Sequence, residues 1–291
     1  MALVGEVNGG LRHKLATFLG VHRSSLYHAS KLDQRDRQLK EQIQAVLREH
    51  KHYGYRRVAM ELKIGKNRAR RVMRRYGLEA AGSPHQRHYK RQKSVRSSPR
   101  NVILEDSLVA RQPSHLWACD FTYLWCLGHW YYVATVIDLY TREIVGWSLS
   151  TRHDTKLILS ALYDALSKQT IPMVLHFDRG SEYLSAAHLD LCDSLEIIPS
   201  ASAKGSPWQN GYQERFYGSF KTELGSLKTI QSEGQLYEQI ALTLNYYNTR
   251  RIHSKLKTNP RQYRQNYNEN QAAKTLQKTE VKDKVSKISG A

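Results

Sequence analysis

Cysteine is nearly missing from this chain: 291 residues hold only Cys119, Cys126 and Cys192, and no two form a C-x-x-C pair. Such a set neither staples a small secreted fold nor builds a zinc knuckle. No cysteine precedes residue 119, so His13, His22 and His28 lack partners for an N-terminal His/Cys zinc module and read as surface or hydrogen-bonded histidines. Long apolar runs are also lacking. None reaches the ~18 residues of a membrane span, and the opening MALVGEVNGGLRHKLATFLG has no signal-peptide core. A cytoplasmic protein without a membrane partner is the expectation. Nor is there a sustained leucine heptad to form a zipper.

Acidic residues are scarce at both ends. The chain carries 45 Lys and Arg against 26 Asp and Glu, a net charge of +19. Residues 1–112 hold 25 basic and 9 acidic side chains, residues 113–224 hold 8 and 12, and residues 225–291 hold 12 and 5. An acidic-leaning centre between basic flanks suits a polyanionic partner, because each neutralised phosphate releases condensed counterions.

Periodicity divides the chain. Residues 1–30 contain a helix, a glycine turn and a serine-rich start, a candidate small helical DNA-binding unit. Over 31–82, Leu32, Leu39, Ile43, Val46 and Leu47 mark one helix face. A further helix begins near Arg56, Gly65 interrupts it, Asn67 is placed to cap the next helix, and Gly77 stands where that helix would end. Two helices joined by a glycine turn suit a helix-turn-helix whose last helix meets DNA. Arg56, Arg57, Arg68, Arg70, Arg71, Arg74 and Arg75 are the candidate contacts, and a helical hairpin with a solvated basic face is the alternative. Residues 83–112 read as a basic linker, whose Lys90 and Arg91 are placed to track phosphates.

From Pro113 the pattern becomes aromatic and β-branched. HLWACDFTYLWC, HWYYVATVIDLYT and REIVGWSLS predict an antiparallel meander. A helix through Leu157–Leu166, a strand MVLHFD, a helix SAAHLDLCDSLE, a strand IIPSAS and a helix from Asn210 complete the order βββαβαβα. That order describes an α/β fold, a five-stranded mixed sheet with flanking helices, preceded by an all-α region. Residues 113–225 form this core, 226–268 a C-terminal helical extension, and 269–291 a basic tail expected to be disordered.

Three carboxylates stand out. Asp120 lies within the first strand between the small Ala118 and Thr122 on its face, Asp178 ends the fourth strand, and Glu214 follows Asn210 and Gln213. Asn210 and Gln213 suit a capping box that would turn Glu214 toward the sheet. Carboxylate oxygens without clustered His or Cys favour hard divalent cations such as Mg²⁺ or Mn²⁺, and two such ions can promote in-line attack on a phosphodiester. Asp138, Glu182 and Glu223 compete for the same role. Lys221, seven residues after Glu214, lies on the same helix face, where it is either a phosphate contact or a plain surface lysine.

The segments WACDFTYL, HFDRGSEYLS, NGYQERFYGSFKTEL and YYNTRRIHSKLKTNPRQY resemble the catalytic domain of IS3-family insertion-sequence transposases, the product of their downstream reading frame, and more distantly retroviral integrases. YGYRRVAMEL and ARRVMRRYGL are similar to the helix-turn-helix that precedes that domain. Asp178 and Glu214 are separated by 35 residues, the interval characteristic of these DDE enzymes. The resemblance implies an RNase H-like core in which Asp120, Asp178 and Glu214 hold two Mg²⁺ ions, with Mn²⁺ as a substitute. It implies cleavage at the element's terminal inverted repeats, strand transfer of the freed 3′-OH into target DNA, and a circular DNA intermediate. It also implies a homo-oligomer on double-stranded DNA and cooperation with the upstream-frame product. Phe177 and Glu182 depart from the polar residue and the glutamine common in relatives, and Glu182 adds negative charge near the expected metals. A DNA-binding protein with an inactive core and a retroelement integrase are the alternatives.

Overall fold

The structure is a computed structural model that describes residues 17–18, 31–81, 99–203 and 210–289. It divides into a unit ending at Ala81 and a second beginning at Gly82. The candidate unit over 1–30, apart from Thr17 and Phe18, and the stretch carrying Lys90 and Arg91 lie outside the described residues.

The first unit is helical: α1 (Lys31–Glu49), α2 (Tyr55–Glu61) and α3 (Lys66–Arg75). Leu39, Ile43 and Val46 of α1 are buried, as are Val58, Ala59, Ala69, Val72 and Met73, so the predicted stripe forms a shared core. Leu32 stays outside it. Gly65, not Asn67, is the N-cap of α3; Asn67 falls inside the helix. Gly77 ends it with φ of 60°, and the Leu78 amide reaches back to the Met73 carbonyl at 2.9 Å, a closure that needs a left-handed residue. Asp36 of α1 is fully buried and accepts from Arg71 at 2.6 and 2.7 Å and from Arg75 at 3.2 Å. A buried carboxylate is tolerable only with such partners.

The second unit carries the expected sheet in the order β3-β2-β1-β4-β5. Its strands are β1 (Leu116–Cys126), β2 (His129–Asp138), β3 (Ile144–Ser150), β4 (Val174–Phe177) and β5 (Ile198–Ala201). β1, β2 and β3 pair antiparallel, whereas β4 runs parallel to both β1 and β5. The helices are α4 (Val102–Glu105), α5 (Thr155–Leu166), α6 (Ala186–Ser194), α7 (Gly211–Leu224), α8 (Glu233–Thr249) and α9 (Pro260–Ser289). This is the RNase H-like α/β architecture.

Strand alternation gives the sheet two core faces. Leu116, Ala118, Val133 and Val174 pack with Phe216 and Phe220 of α7 and with Leu236, Ile240 and Leu244 of α8. Trp117, Cys119, Ala134 and Val136 pack with Leu157, Ile158 and Leu162 of α5. At Gly146 helix α5 comes so close that a Cβ would collide with the Ala161 carbonyl and lie 2.5 Å from the Ala165 amide nitrogen.

Three expected boundaries move. The linker does not extend to residue 112: Val102 is buried in the core, Asn101 caps α4 through Leu104, and the Arg100 carbonyl accepts from Ala201 at 3.2 Å. Helix α8 is part of the core, since its apolar stripe completes one of the two faces. The tail expected to be disordered instead continues helix α9 to Ser289.

Helix α9 is anchored by charge. Arg264 donates to Asp138 at 3.1 Å and to Glu143 at 2.7 Å, and Arg261 donates to Glu143 at 3.1 Å. Both carboxylates are buried, and Asp138 also accepts amide bonds from Ser114, Tyr140 and Thr141.

Candidate active site

The pairing of β1 with β4 runs Leu116↔Val174, Trp117↔Leu175 and Ala118↔His176, then stops. Asp120 and Asp178 each stand two residues past the last pair, so the register brings them to one level where the two strands part. One oxygen of each is held locally: Phe121 N donates to Asp120 Oδ1 at 2.8 Å and Gly180 N to Asp178 Oδ1 at 2.7 Å. Both side chains are half-buried. Burial pushes the hydroxyls of Tyr183 and Tyr217 well above the usual tyrosine range, and the negative field of both Asp120 and Asp178 raises them further. The two carboxylates therefore act on the same buried space.

Helix α7 is pinned across β1 at this level. Asn210 Nδ2 donates to the Cys119 carbonyl at 3.2 Å, Gln213 Nε2 to the Ala118 carbonyl at 2.6 Å, and the Tyr217 hydroxyl to the Asp120 carbonyl at 2.6 Å. The capping box is not formed, because both of its polar side chains turn to the sheet instead of the helix end. Nor does Glu214 face the sheet. Gln213 takes the inward position, and Glu214, about 100° further round the helix, is exposed in the first turn. Among the described residues no group of three His, Cys, Asp or Glu side chains is gathered closely enough to hold a metal ion. The strand register sets Asp120 and Asp178 at one level of neighbouring strands, whereas Glu214 lies exposed in the first turn of the helix pinned across β1.

The competing carboxylates have structural partners. Asp138 is neutralised by Arg264, and Glu223 pairs at 3.3 Å with Arg251, both side chains being largely buried. Arg251 is thus a structural residue, and His253 closes a short β-bridge with Thr258. Glu182, the extra negative charge expected near the site, lies 3.0 Å from His153 Nδ1. Phe177 is fully buried and stacked on Tyr183, so this departure from the family pattern fills core.

Sequence reasoning missed the supports. His176 is buried, with Nδ1 on Ser200 at 3.0 Å and Nε2 on Ser202 at 3.1 Å, and burial lowers its pKa to about 4. This tie joins β4 to the segment leading toward α7. The spacing of Asn210, Gln213 and Tyr217 at i, i+3 and i+7 was the available signal for an inward polar face. Lys221 is not a plain surface lysine: it is half-buried, sits 4.9 Å from the Tyr123 ring centroid, and has its pKa lowered by burial.

In the first unit, Arg68, Arg70 and Arg74 of α3 are exposed, as is Arg56, which hydrogen-bonds Tyr55 at 3.3 Å. Arg57 is half-buried over the Tyr53 ring. Arg71 and Arg75 are engaged by Asp36, a partner the charge count alone could not reveal.

Two integrase core domain families match the chain, over residues 110–207 and 195–260. The transposase for insertion sequence element IS904 of Lactococcus lactis subsp. lactis is 32% identical over 228 residues, covering 75% of this chain and 89% of that protein. The transposase for IS629 of Shigella sonnei is 30% identical over 234 residues, 78% of each. Transposase InsF for IS3A of Escherichia coli K12 is 36% identical over 160 residues, covering 52% of this chain and 54% of that protein. Among solved structures, the HTLV-2 integrase catalytic core domain in complex with magnesium has a TM-score of 0.47 at 21% identity, over 54% of this chain and 99% of that one. The fold and the matched segments define a polynucleotidyl transferase with an integrase core. The chain belongs to the IS3 family of insertion-sequence transposases.

Proposed function

We propose that Asp120, Asp178 and Glu214 are the catalytic carboxylates of this transposase and bind two Mg²⁺ ions, for which Mn²⁺ can substitute. The observation that carries the reading is the register of β1 against β4, which brings two aspartates to one level beside a helix that presents a glutamate. The donor set fits: it is all oxygen, as hard divalent cations require, and both nitrogens of the nearby His176 are already committed to serines. Such ions would activate the attacking oxygen and stabilise the leaving oxygen of a phosphodiester.

Several contacts within the chain support this reading. The amides of Phe121 and Gly180 orient the two aspartates, and Gln213 with Tyr217 fixes the approach of the helix that carries Glu214. The reactions are hydrolysis at the end of a terminal inverted repeat, releasing a 3′-OH, and transfer of that hydroxyl to a phosphodiester of target DNA. Double-stranded DNA is the substrate, bound as a homo-oligomer, with Arg56, Arg57, Arg68, Arg70, Arg74 and Lys221 as contacts.

The test is nicking and strand transfer on labelled inverted-repeat ends with Mg²⁺. Asp120→Asn, Asp178→Asn and Glu214→Gln should each reduce cleavage at least as much as the loss of one preorganised electrostatic group, about 10²–10³-fold, while DNA binding persists. Unchanged cleavage in any one of these variants removes that residue from the site. Binding without any metal-dependent product overturns the enzymatic reading.

A further inference from the structure

The β1–β2 hairpin extends past the rest of the sheet and exposes an aromatic ladder. Tyr123 is 38% exposed, Trp125 55% and Trp130 46%. Trp125 pairs with Trp130 and Tyr123 with Tyr132 across the strands. Trp130 stands edge-on to both neighbours, with ring centroids 5.2 Å from Tyr123 and 5.0 Å from Trp125. Rings of this size are normally core, and three of them bared side by side mark a contact surface.

Two observations indicate what covers it. The first is charge. No acidic residue occurs between Asp120 and Asp138, so the end of the hairpin that carries the ladder is free of carboxylates, and the Lys221 ammonium lies 4.9 Å from the Tyr123 centroid. Neutral aromatic faces beside a cation suit stacked bases with a nearby phosphate. The second is continuity. The β1 edge is unpaired by β4 beyond Ala118, and Lys221, from the helix that carries Glu214, reaches Tyr123. Asp120 and the ladder face opposite sides of the strand, and this contact links them. Tyr123 and Trp125 lie about 10 and 17 Å along the strand from Asp120. At no less than the roughly 3.4 Å per nucleotide of a stacked strand, five nucleotides cover that span.

We propose that Tyr123, Trp125 and Trp130 form a stacking platform for unpaired bases of the DNA strand that leaves the catalytic site. This rests on the placement of the carboxylates proposed above. The rings hold the strand by their π-faces, which every base presents, so the platform tolerates any sequence in the DNA that flanks the reacting phosphodiester.

The experiment measures binding of the full chain to end duplexes that are either blunt or carry a five-nucleotide single-stranded flank, by fluorescence anisotropy. The flank should raise affinity, and Trp125→Ala combined with Trp130→Ala should remove that gain, a loss of about tenfold or more given the strength of base stacking on aromatics. Blunt-duplex binding should stay within twofold, and Trp125→Phe should keep most of the gain. The two readings fail separately: unchanged nicking in Asp120→Asn sinks the carboxylate assignment, whereas the flank gain in binding and its loss in the double tryptophan variant decide the platform. Equal weakening on blunt and flanked DNA, or no weakening, overturns the platform. So does a double variant that changes the mass of the free protein in sedimentation but not its affinity for flanked DNA, since the face would then be covered by a second copy of the chain.

Discussion

Gln213 and Glu214 are adjacent in the chain and take opposite roles. Gln213 is fully buried and bonds the Ala118 and Thr135 carbonyls, while Glu214 is exposed beside it. One position of helical rotation thus separates a structural amide from a candidate metal ligand. A residue with a different consequence is His188. It is buried, its Nδ1 lies 2.9 Å from the Tyr183 carbonyl, and burial lowers its pKa to about 4. Because this value lies below that of the unfolded state, the unfolded chain takes up the proton first as pH falls. The stabilisation is complete above about pH 6.5 and is lost toward pH 4, amounting to about 3 kcal/mol. In urea unfolding at pH 7 and pH 4.5, His188→Phe should therefore lose less stability on acidification than the natural chain.

At the scale of elements, β3 and α5 touch through Gly146, and neither the Ala161 carbonyl nor the Ala165 amide can move without breaking helix geometry. Gly146→Ala should destabilise the second unit by at least the roughly 1–3 kcal/mol of an overpacked core, measured as a lower urea midpoint. The order of strands and helices is legible in the sequence because alternation and the helical stripe differ in period, and turn residues separate them. Asp120 and Asp178 are legible as charges amid apolar strand residues. The orientation of Glu214 is not, because the capping pattern of Asn210 and Gln213 is shared by side chains that bond a neighbouring strand. Val102 and its neighbours resemble linker since four helical residues give no periodicity. The α9 tail is masked because lysines outnumber its few large apolar residues, so the short spacing of Val281, Val285 and Ile288 reads as a solvated basic segment.

Across the whole molecule, the net charge of +19 is concentrated outside the catalytic core, in the segments before residue 113 and after residue 224. Most of the proposed DNA contacts lie in the first of those segments, and not every arginine there is available to make one. Replacing Arg68, Arg70 and Arg74 with Gln should flatten the dependence of log K on log salt by about 2–3 for binding to duplex DNA, at about 0.9 for each phosphate no longer neutralised. Replacing Arg71 and Arg75, which neutralise the buried Asp36, should change that slope less and instead speed amide exchange in residues 31–81.

The anchoring of α9 has a bearing on synthesis. Asp138 and Glu143 are among the earlier parts of the sheet to leave the ribosome, yet their positive partners are Arg261 and Arg264, more than a hundred residues later. Until those arginines emerge, closing the sheet would bury two acids without an opposite charge beside them. The nascent core must therefore wait for the opening turns of its last helix, and a message cut short before that point yields a chain that cannot settle.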